Sequence, residues 1–496
     1  MLGEPSPFRP LLERSHPSWT ASRGSPTYHG ELSSLRESVR AECESRKNPT
    51  CTVRRNSGEE YTDLLHVTIA IRMGTVSCAP MVLPFLTPGF APIPCEYKRT
   101  PSDFVVEEVP AFFPEGEGQH LWMRIQKCGM TTDAALGRLA HCLGVSRRKL
   151  RVGGKKDARA VTEQWVSLDL PPKDFESRLE QLESGNAATY IRLLEVTRHR
   201  TGNAIGRTHG NRFRIRLRDL SEERRGDARL ILQELALRGV PNYFGEQRFG
   251  HRGDTDQIGE ALMAGEWLDA LRQNLGRPMP VDTGRFREAR EAFERGDLEG
   301  ALEGWTRSDF APRQLLGSLL RGGGRVDEES AAAAWQSVDR RDLEFFGAAF
   351  QSRLFNEVLA RRVAELGEVW LGDLALRMPG GRQSFLVEDL DLEGRRAAEG
   401  EICASGPLFG HKMPRPKGRA AELEDSVLLA NGWAYPDFEA PSAQPWRGGR
   451  RPVCVSLIDP IDTEGDDELG SYLELRFQLP KGSYATSVLR ELHKEV

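Results

Sequence analysis

Gly153-Gly154-Lys155-Lys156-Asp157-Ala158-Arg159-Ala160-Val161-Thr162-Glu163-Gln164 sets one carboxylate, Asp157, among lysines and an arginine just after two glycines. The glycines permit a tight loop. The surrounding cations favour the ionised form of the carboxylate. An ionised, positioned carboxylate can act as a nucleophile. Composition alone equally allows a solvated charged turn. A phosphate-cradling loop of Walker type is excluded by residue order, since Lys155 and Lys156 are followed by Asp157, with no Ser or Thr for a metal ion.

Outward from this loop the chain alternates between strand and helix patterns. Tyr97–Val109 reads as a strand region around Val105 and Val106, and Leu121–Ile125 as a second strand. Thr131 or Thr132 caps a helix with Asp133 in its first turn. Leu136, Leu139, Ala140 and Leu143 line one face of it, and Gly144 ends it. Gln164–Leu170 is a further strand, closed by Pro171-Pro172. In Asn211–Arg218, Phe213, Ile215 and Leu217 alternate with Arg212, Arg214, Arg216 and Arg218, which puts the arginines on the face opposite Phe213.

The middle, about 256–365, is mostly helical. Phe286–Trp305 carries a turn at Gly296-Asp297 between two helical patterns, resembling half of a tetratricopeptide unit, and the period does not recur. The stretch from Gly400 to Gly449 is rich in Gly, Pro and charge and reads as loops with short elements. Leu473–Leu479 alternates as a strand, Pro480–Ser483 turns, and Ala485–Leu492 forms a short amphipathic helix. Strands therefore flank a helical middle, the pattern of an α+β domain built from both ends with a second domain inserted.

At 496 residues the chain is long enough for two or three domains, and 39% hydrophobic with 28% charged residues marks it as soluble and globular. No apolar run is long enough to span a bilayer. The formal net charge of −5 gives no general basic coat for nucleic acid, though a local basic cleft can sit on an acidic body. Eight cysteines lie at scattered spacings with no Cys-x-x-Cys pair, and ten histidines show no His-Glu-x-x-His cluster. Reduced thiols in a cytosolic protein and no metal site are the expectation. Residues 1–80 are rich in Ser, Arg, Glu and Pro, with little apolar periodicity before Leu64–Met73. They read as a disordered extension or as translation from an upstream start, with Met81 a natural beginning.

Five further strings recur in order with the Asp157 loop. They are Arg99-Thr100-Pro101-Ser102-Asp103-Phe104-Val105-Val106-Glu107-Glu108, Gly116-Glu117-Gly118-Gln119-His120-Leu121-Trp122, Gly210-Asn211-Arg212-Phe213, Gly239-Val240-Pro241-Asn242-Tyr243-Phe244-Gly245-Glu246-Gln247-Arg248-Phe249-Gly250, and Leu479-Pro480-Lys481-Gly482-Ser483-Tyr484-Ala485-Thr486-Ser487-Val488-Leu489-Arg490-Glu491-Leu492. Together they resemble the motifs of the TruD family of pseudouridine synthases, from about Met81 to the end.

The resemblance implies an α+β fold: a mixed, mainly antiparallel sheet with helices on one side and a cleft on the other, interrupted by an inserted α+β domain. The implied division is 81–238 plus 453–496 for the catalytic domain and 239–452 for the insertion. The implied activity is isomerisation of uridine to pseudouridine in RNA, most often uridine 13 of tRNA, by a cytoplasmic monomer without cofactor. By motif position Asp157 is the catalytic residue. Phe104, Asn211 and Tyr484 match positions that contact the nucleotide. Lys98 matches a basic residue near the catalytic carboxylate. Phe213 matches the aromatic position where related synthases carry tyrosine. Tyr484 departs from the family's usual Phe, keeping the ring and adding a hydroxyl.

The residue types fit this chemistry. The target base must leave its stack to be reached. Phe104, Phe213 and Tyr484 offer π-faces to hold it, and the Asn211 amide can both donate to and accept from a uracil edge. Arg147-Arg148-Lys149 with Arg151, Lys155 and Lys156 are better placed for phosphate contacts than the arginine stripe. Two other classes remain open: a tRNA-binding or folding protein without catalysis, and a carboxylate-based hydrolase. The hydrolase lacks a second carboxylate in a comparable motif.

Overall fold

The structure is a computed structural model that describes residues 83–180, 182, 184–186, 188–381, 383–440 and 446–494. The expectations for residues 1–80, including Leu64–Met73, lie outside the described residues.

The strands in chain order are β1 (Phe104–Pro110), β2 (His120–Cys128), β3 (Leu150–Val152), β4 (Val161–Asp169), β5 (Ser184–Asn186), β6 (Thr189–His199), β7 (Thr208–Arg218), β8 (Val240–Pro241), β9 (Leu374–Arg377), β10 (Ser384–Leu386), β11 (Ile402–Leu408), β12 (Gly449–Pro452), β13 (Cys454–Val455), β14 (Ile458–Asp467) and β15 (Gly470–Pro480). Nine of them form one sheet in the order β14-β15-β7-β1-β4-β2-β6-β5, with β3 also paired to β4. Only the β1–β4 pair is parallel, so the sheet is mixed and mainly antiparallel. A four-stranded sheet, β10-β9-β11-β12, belongs to the middle of the chain. Where the chain enters and leaves that middle, β8 pairs with β13.

Local sequence explains the first helix. Thr131 accepts a hydrogen bond from the Ala134 N–H, the helix runs Thr132–Leu143, and Gly144 closes it at φ 66°. The Gly296-Asp297 turn also forms, between helices Gly284–Glu294 and Leu298–Gly304. The Asp297 side chain caps the second of these by accepting from the Gly300 N–H.

Two expectations shift. The strand anticipated from Tyr97 begins only at Phe104, because Pro101–Asp103 makes a 3-10 turn in which the Thr100 N–H donates to Asp103 at 3.0 Å. The stretch from Gly400 to Gly449 is more ordered than its composition suggests, holding β11 and the helix Gly418–Ala430. Strand β11 is buried nearly throughout, so it shows no alternation. Its Gly406 lies where a Cβ would come within 2.8 Å of the Phe355 ring.

Side-chain parity across the large sheet positions everything that follows. Lys127, Thr162, Val106, Phe213 and Phe477 are cross-strand partners in one row, and Glu108, Asn211 and Leu479 share the next. All point to the same face. At one end of that face Leu121, Met123, Ile125, Val166 and Leu168 share a core with the helix Thr132–Leu143. At the other, Phe104, Phe213, Ile215 and Leu475 share a core with helices Glu222–Arg238 and Ala485–His493. Between the two cores runs a buried polar strip: Lys127, Thr162, Gln164 and Glu108. The resemblance implied a cleft opposite the helices. The register instead puts this strip, and the Asp157 loop above it, on the helix-bearing face.

Candidate active site

The Asp157 loop is fixed by its backbone. The Gly206 N–H donates to the Gly153 carbonyl at 2.8 Å. The Lys156 N–H donates to Thr132 Oγ1 at 2.9 Å, and that hydroxyl contacts Gln164 Oε1 at 3.1 Å. Lys127, fully buried, donates from Nζ to the Asp157 carbonyl at 2.6 Å and to the Met130 carbonyl at 2.9 Å. A Cβ at Gly153 would come within 2.4 Å of Glu108 Oε1, so any side chain there would displace that carboxylate.

The Asp157 side chain is exposed. Among the described residues its carboxylate accepts no hydrogen bond and makes no ion pair. Two lysines stand near enough to feel its charge. Burial pulls the Lys127 ammonium down to about 8, with Asp157 opposing. Burial also lowers Lys156, against the carboxylates of Glu108 and Asp157. Glu108 lies beneath the loop, where burial pushes its carboxyl up against the pull of Lys156 and of the Trp165 N–H, which donates to Oε2 at 3.1 Å. Lys127, Lys156 and Glu108 are each tuned by desolvation first and neighbours second.

Asn211 accepts a hydrogen bond from Lys156 Nζ at 2.5 Å through Oδ1. This leaves the Nδ2 hydrogens without a partner among the described residues. The amide therefore presents a donor, where sequence alone allowed donor and acceptor alike.

The other sequence-selected residues fall into two groups. Phe104 and Phe213 are buried and meet edge-on with centroids 6.3 Å apart, and Lys98 Nζ lies 4.2 Å from the Phe104 ring centre. Phe213 stands two residues along β7 from Asn211 on the same face, and Ala160 of the Asp157 loop joins the same core. Tyr484 stands apart from both rings. It is 48% exposed, just before the helix Ala485–His493, in the turn after the end of β15 that pairs with Gly210 and Asn211.

Of the basic residues beside the loop, Lys156 is turned inward to Asn211, while Arg147 and Lys155 share Asp133 at 2.8 and 2.9 Å. Arg148, Lys149 and Arg151 are exposed. A cavity of about 330 Å³ beside the loop is lined by Thr132, Asp133, Arg147, Arg151, Lys155 and Ile205, among others. The arginine stripe of β7 is on the opposite face, where three of its four arginines pair with carboxylates and exposed Arg212 donates to the Gln478 side-chain oxygen at 3.4 Å. Arg214 and Arg216 meet Glu474 at 3.5 and 2.9 Å, and buried Arg218 lies between Asp103 at 2.6 Å and Asp467 at 2.8 Å. Among the described residues no group of His, Cys, Asp and Glu is arranged to hold a metal ion, and no helix is long and apolar enough to cross a membrane.

Sequence reasoning gave Lys127, Glu108 and Gln164 no role at the site, and took Thr132 only as a candidate helix cap. The signal was present for Lys127, which sits at the apolar parity of its strand after Leu121, Met123 and Ile125. Glu108 likewise follows Phe104 and Val106.

The chain is similar to known proteins over most of its length. The family model for tRNA pseudouridine synthase D (TruD) matches residues 85–492. A tRNA pseudouridine synthase D of Geobacter metallireducens is 40% identical over 410 residues, spanning 83% of this chain and 97% of that protein. One from Thermus thermophilus is 35% identical over 418 residues, spanning 84% of this chain and 93% of that protein. A crystal structure from Methanosarcina mazei assigned to tRNA pseudouridine synthase D superposes with a TM-score of 0.71 at 26% identity, covering 84% of this chain and 96% of that one.

Proposed function

The chain belongs to the tRNA pseudouridine synthase D family and is an isomerase of tRNA uridine; from that premise we propose that it converts uridine 13, with Asp157 as the nucleophile and the target base turned out of its stack. The observation that carries the proposal is the state of Asp157. Its backbone is tied down by a buried lysine while its carboxylate is exposed and, among the described residues, unpartnered. A carboxylate serving only structure on a basic loop would be expected to pair with its neighbours.

The reaction breaks the bond between ribose and base nitrogen, turns the base, and joins ribose to base carbon. The displaced carbon proton is lost and the nitrogen gains one, so the product is an isomer. Asp157 attacks either ribose or base, and both routes keep that balance. Lys127 holds the Asp157 carbonyl, so the nucleophile is placed before substrate arrives, and such placement lowers the entropic part of the barrier. Asn211, its oxygen engaged by Lys156, donates to a uracil carbonyl. Tyr484 supplies an exposed ring for stacking, worth roughly 1–3 kcal/mol per base. Phe104 and Phe213, being buried, support the floor beneath the base, and Lys98 sits over that floor.

The same proposal includes the domain division, with 81–238 and 453–496 catalytic and 239–452 inserted. The pairing of β8 with β13, where the chain crosses those limits, supports it. The working form is a cytoplasmic monomer acting on RNA. The test is chemical mapping of pseudouridine in tRNA from cells with and without the gene. The expected result is loss of one pseudouridine, at position 13. Unchanged maps, or loss only at another position, would refute the assignment.

A further inference from the structure

Most buried arginines of this protein face a carboxylate. Arg218 has Asp103 and Asp467, Arg362 has Asp373 at 3.0 Å, and Arg450 has Glu424 at 2.8 Å. Arg451, the neighbour of Arg450 on β12, has none among the described residues. Its guanidinium lies 4.1 Å from the Phe244 ring centre and 5.6 Å from that of Phe355. Nη2 donates to the Asn242 side-chain oxygen at 2.5 Å, and the buried Nε has no partner. Arg248 approaches the same Phe244 ring at 5.1 Å and likewise has no carboxylate within ion-pair distance among the described residues. Two cations therefore stand around one ring with no anion between them.

Such an arrangement is costly unless an anion arrives, since like charges repel and burial removes water. Burial does pull the Arg451 guanidinium down, to about 10, and Arg248 adds to the effect. The chain beside Phe244 meets the helix that follows Tyr484, where Arg490 lies 5.4 Å from the Tyr243 ring centre, and this places the pair toward the exposed ring proposed to stack on the target base.

We propose that Arg248 and Arg451 form a phosphate-binding pair that grips the RNA backbone next to the target nucleotide. Phe244 orients both guanidinium planes, and Asn242 fixes Arg451. Guanidinium forks match phosphate oxygens in pairs, which a lysine does not reproduce. The pair sits on the Gly239–Gly250 segment and on β12, so it would let the middle of the chain position RNA over the Asp157 loop. The assignment rests on the reading of the chain as a tRNA-modifying enzyme.

The test is the salt dependence of tRNA binding, with turnover measured in parallel, for wild type, Arg248→Gln and Arg451→Lys. Each lost phosphate contact lowers the slope of log affinity against log salt by about one. Arg248→Gln should show that reduction, with a raised KM, a nearly unchanged kcat and a thermal midpoint that is kept or raised, since one of two repelling charges is gone. Arg451→Lys should keep most of the slope but bind more weakly, because the charge survives and the fork does not. Unchanged slope and affinity in Arg248→Gln would overturn the proposal. So would weakening that appears only with a lowered thermal midpoint, which marks a packing role. If wild type itself fails to form pseudouridine in tRNA, the functional reading falls instead, and the two failures are distinguishable.

Discussion

The two faces of strand β7 handle charge in opposite ways. On one, Arg214, Arg216 and Arg218 are answered by Glu474, Asp467 and Asp103, and only Arg212, at the end nearest Asn211, meets an amide instead of a carboxylate among the described residues. On the other, Asn211 meets Lys156, Glu108 and Lys127 lie buried below the loop, and the Asp157 carboxylate is left without a partner. The difference teaches where to look for function in a charged protein. Four alternating arginines draw the eye toward RNA, yet the three that are matched have little left to offer a ligand. One unmatched carboxylate among tethered cations has chemistry available.

Breaking the matched face should produce the largest effect on folding. Arg218→Ala leaves the fully buried Asp103 without its cation, which should destabilise the protein by about 3–5 kcal/mol. Denaturant midpoints measure this. A loss below about 1 kcal/mol would show that the pair is not the closed structural unit described here.

On the other face the effect should fall on turnover and not on stability. Lys127→Met removes a buried charge, so stability should change little, but the Asp157 carbonyl loses its anchor. Turnover should fall about a hundredfold, the scale expected when a reacting group is displaced by an ångström. Steady-state rates and thermal midpoints, read together, separate the two effects.

The same lysine predicts a pH limb. Its charge is present below about 8 and is lost above it, so kcat should decline as pH rises through that value, and the limb should be absent in Lys127→Met. The folded form gives up this proton before the unfolded form, whose lysine titrates near 10.5. Between those values the unfolded state binds more protons, so stability rises with pH. A falling rate there is therefore local to the loop and not incipient unfolding.

How legible this contrast is in sequence depends on parity. The alternation in Asn211–Arg218 is enough by itself to separate the arginines from Phe213. The caps at Thr131 and Gly144 fix the first helix in the same way. What alternation cannot supply is the partner across the sheet: Glu474 and Asp467 lie about 250 residues along the chain from the arginines they neutralise. The side of the polar strip was also hidden, because it depends on which parity of β7 the helices cover. The order within Ile402–Leu408 was missed for a related reason: a strand buried on both faces has no polar beat to read.

The smallest effect should be at Tyr484. Tyr484→Phe keeps the exposed ring and should leave turnover within about twofold, whereas Tyr484→Ala should lose roughly the 1–3 kcal/mol of one stacking contact. A strong defect in the Phe variant would assign work to the hydroxyl.

The central claim is that the unpartnered carboxylate of Asp157 carries the reaction. It is tested most directly by tritium release from tRNA labelled at the uracil carbon that bonds to ribose, comparing wild type with Asp157→Asn at matched tRNA occupancy. The amide is near-isosteric and a poor nucleophile, so binding should persist while release falls below about a hundredth of wild type, since losing a covalent route costs several kcal/mol of barrier. Release above that level by the Asn variant, with binding intact, would contradict the account.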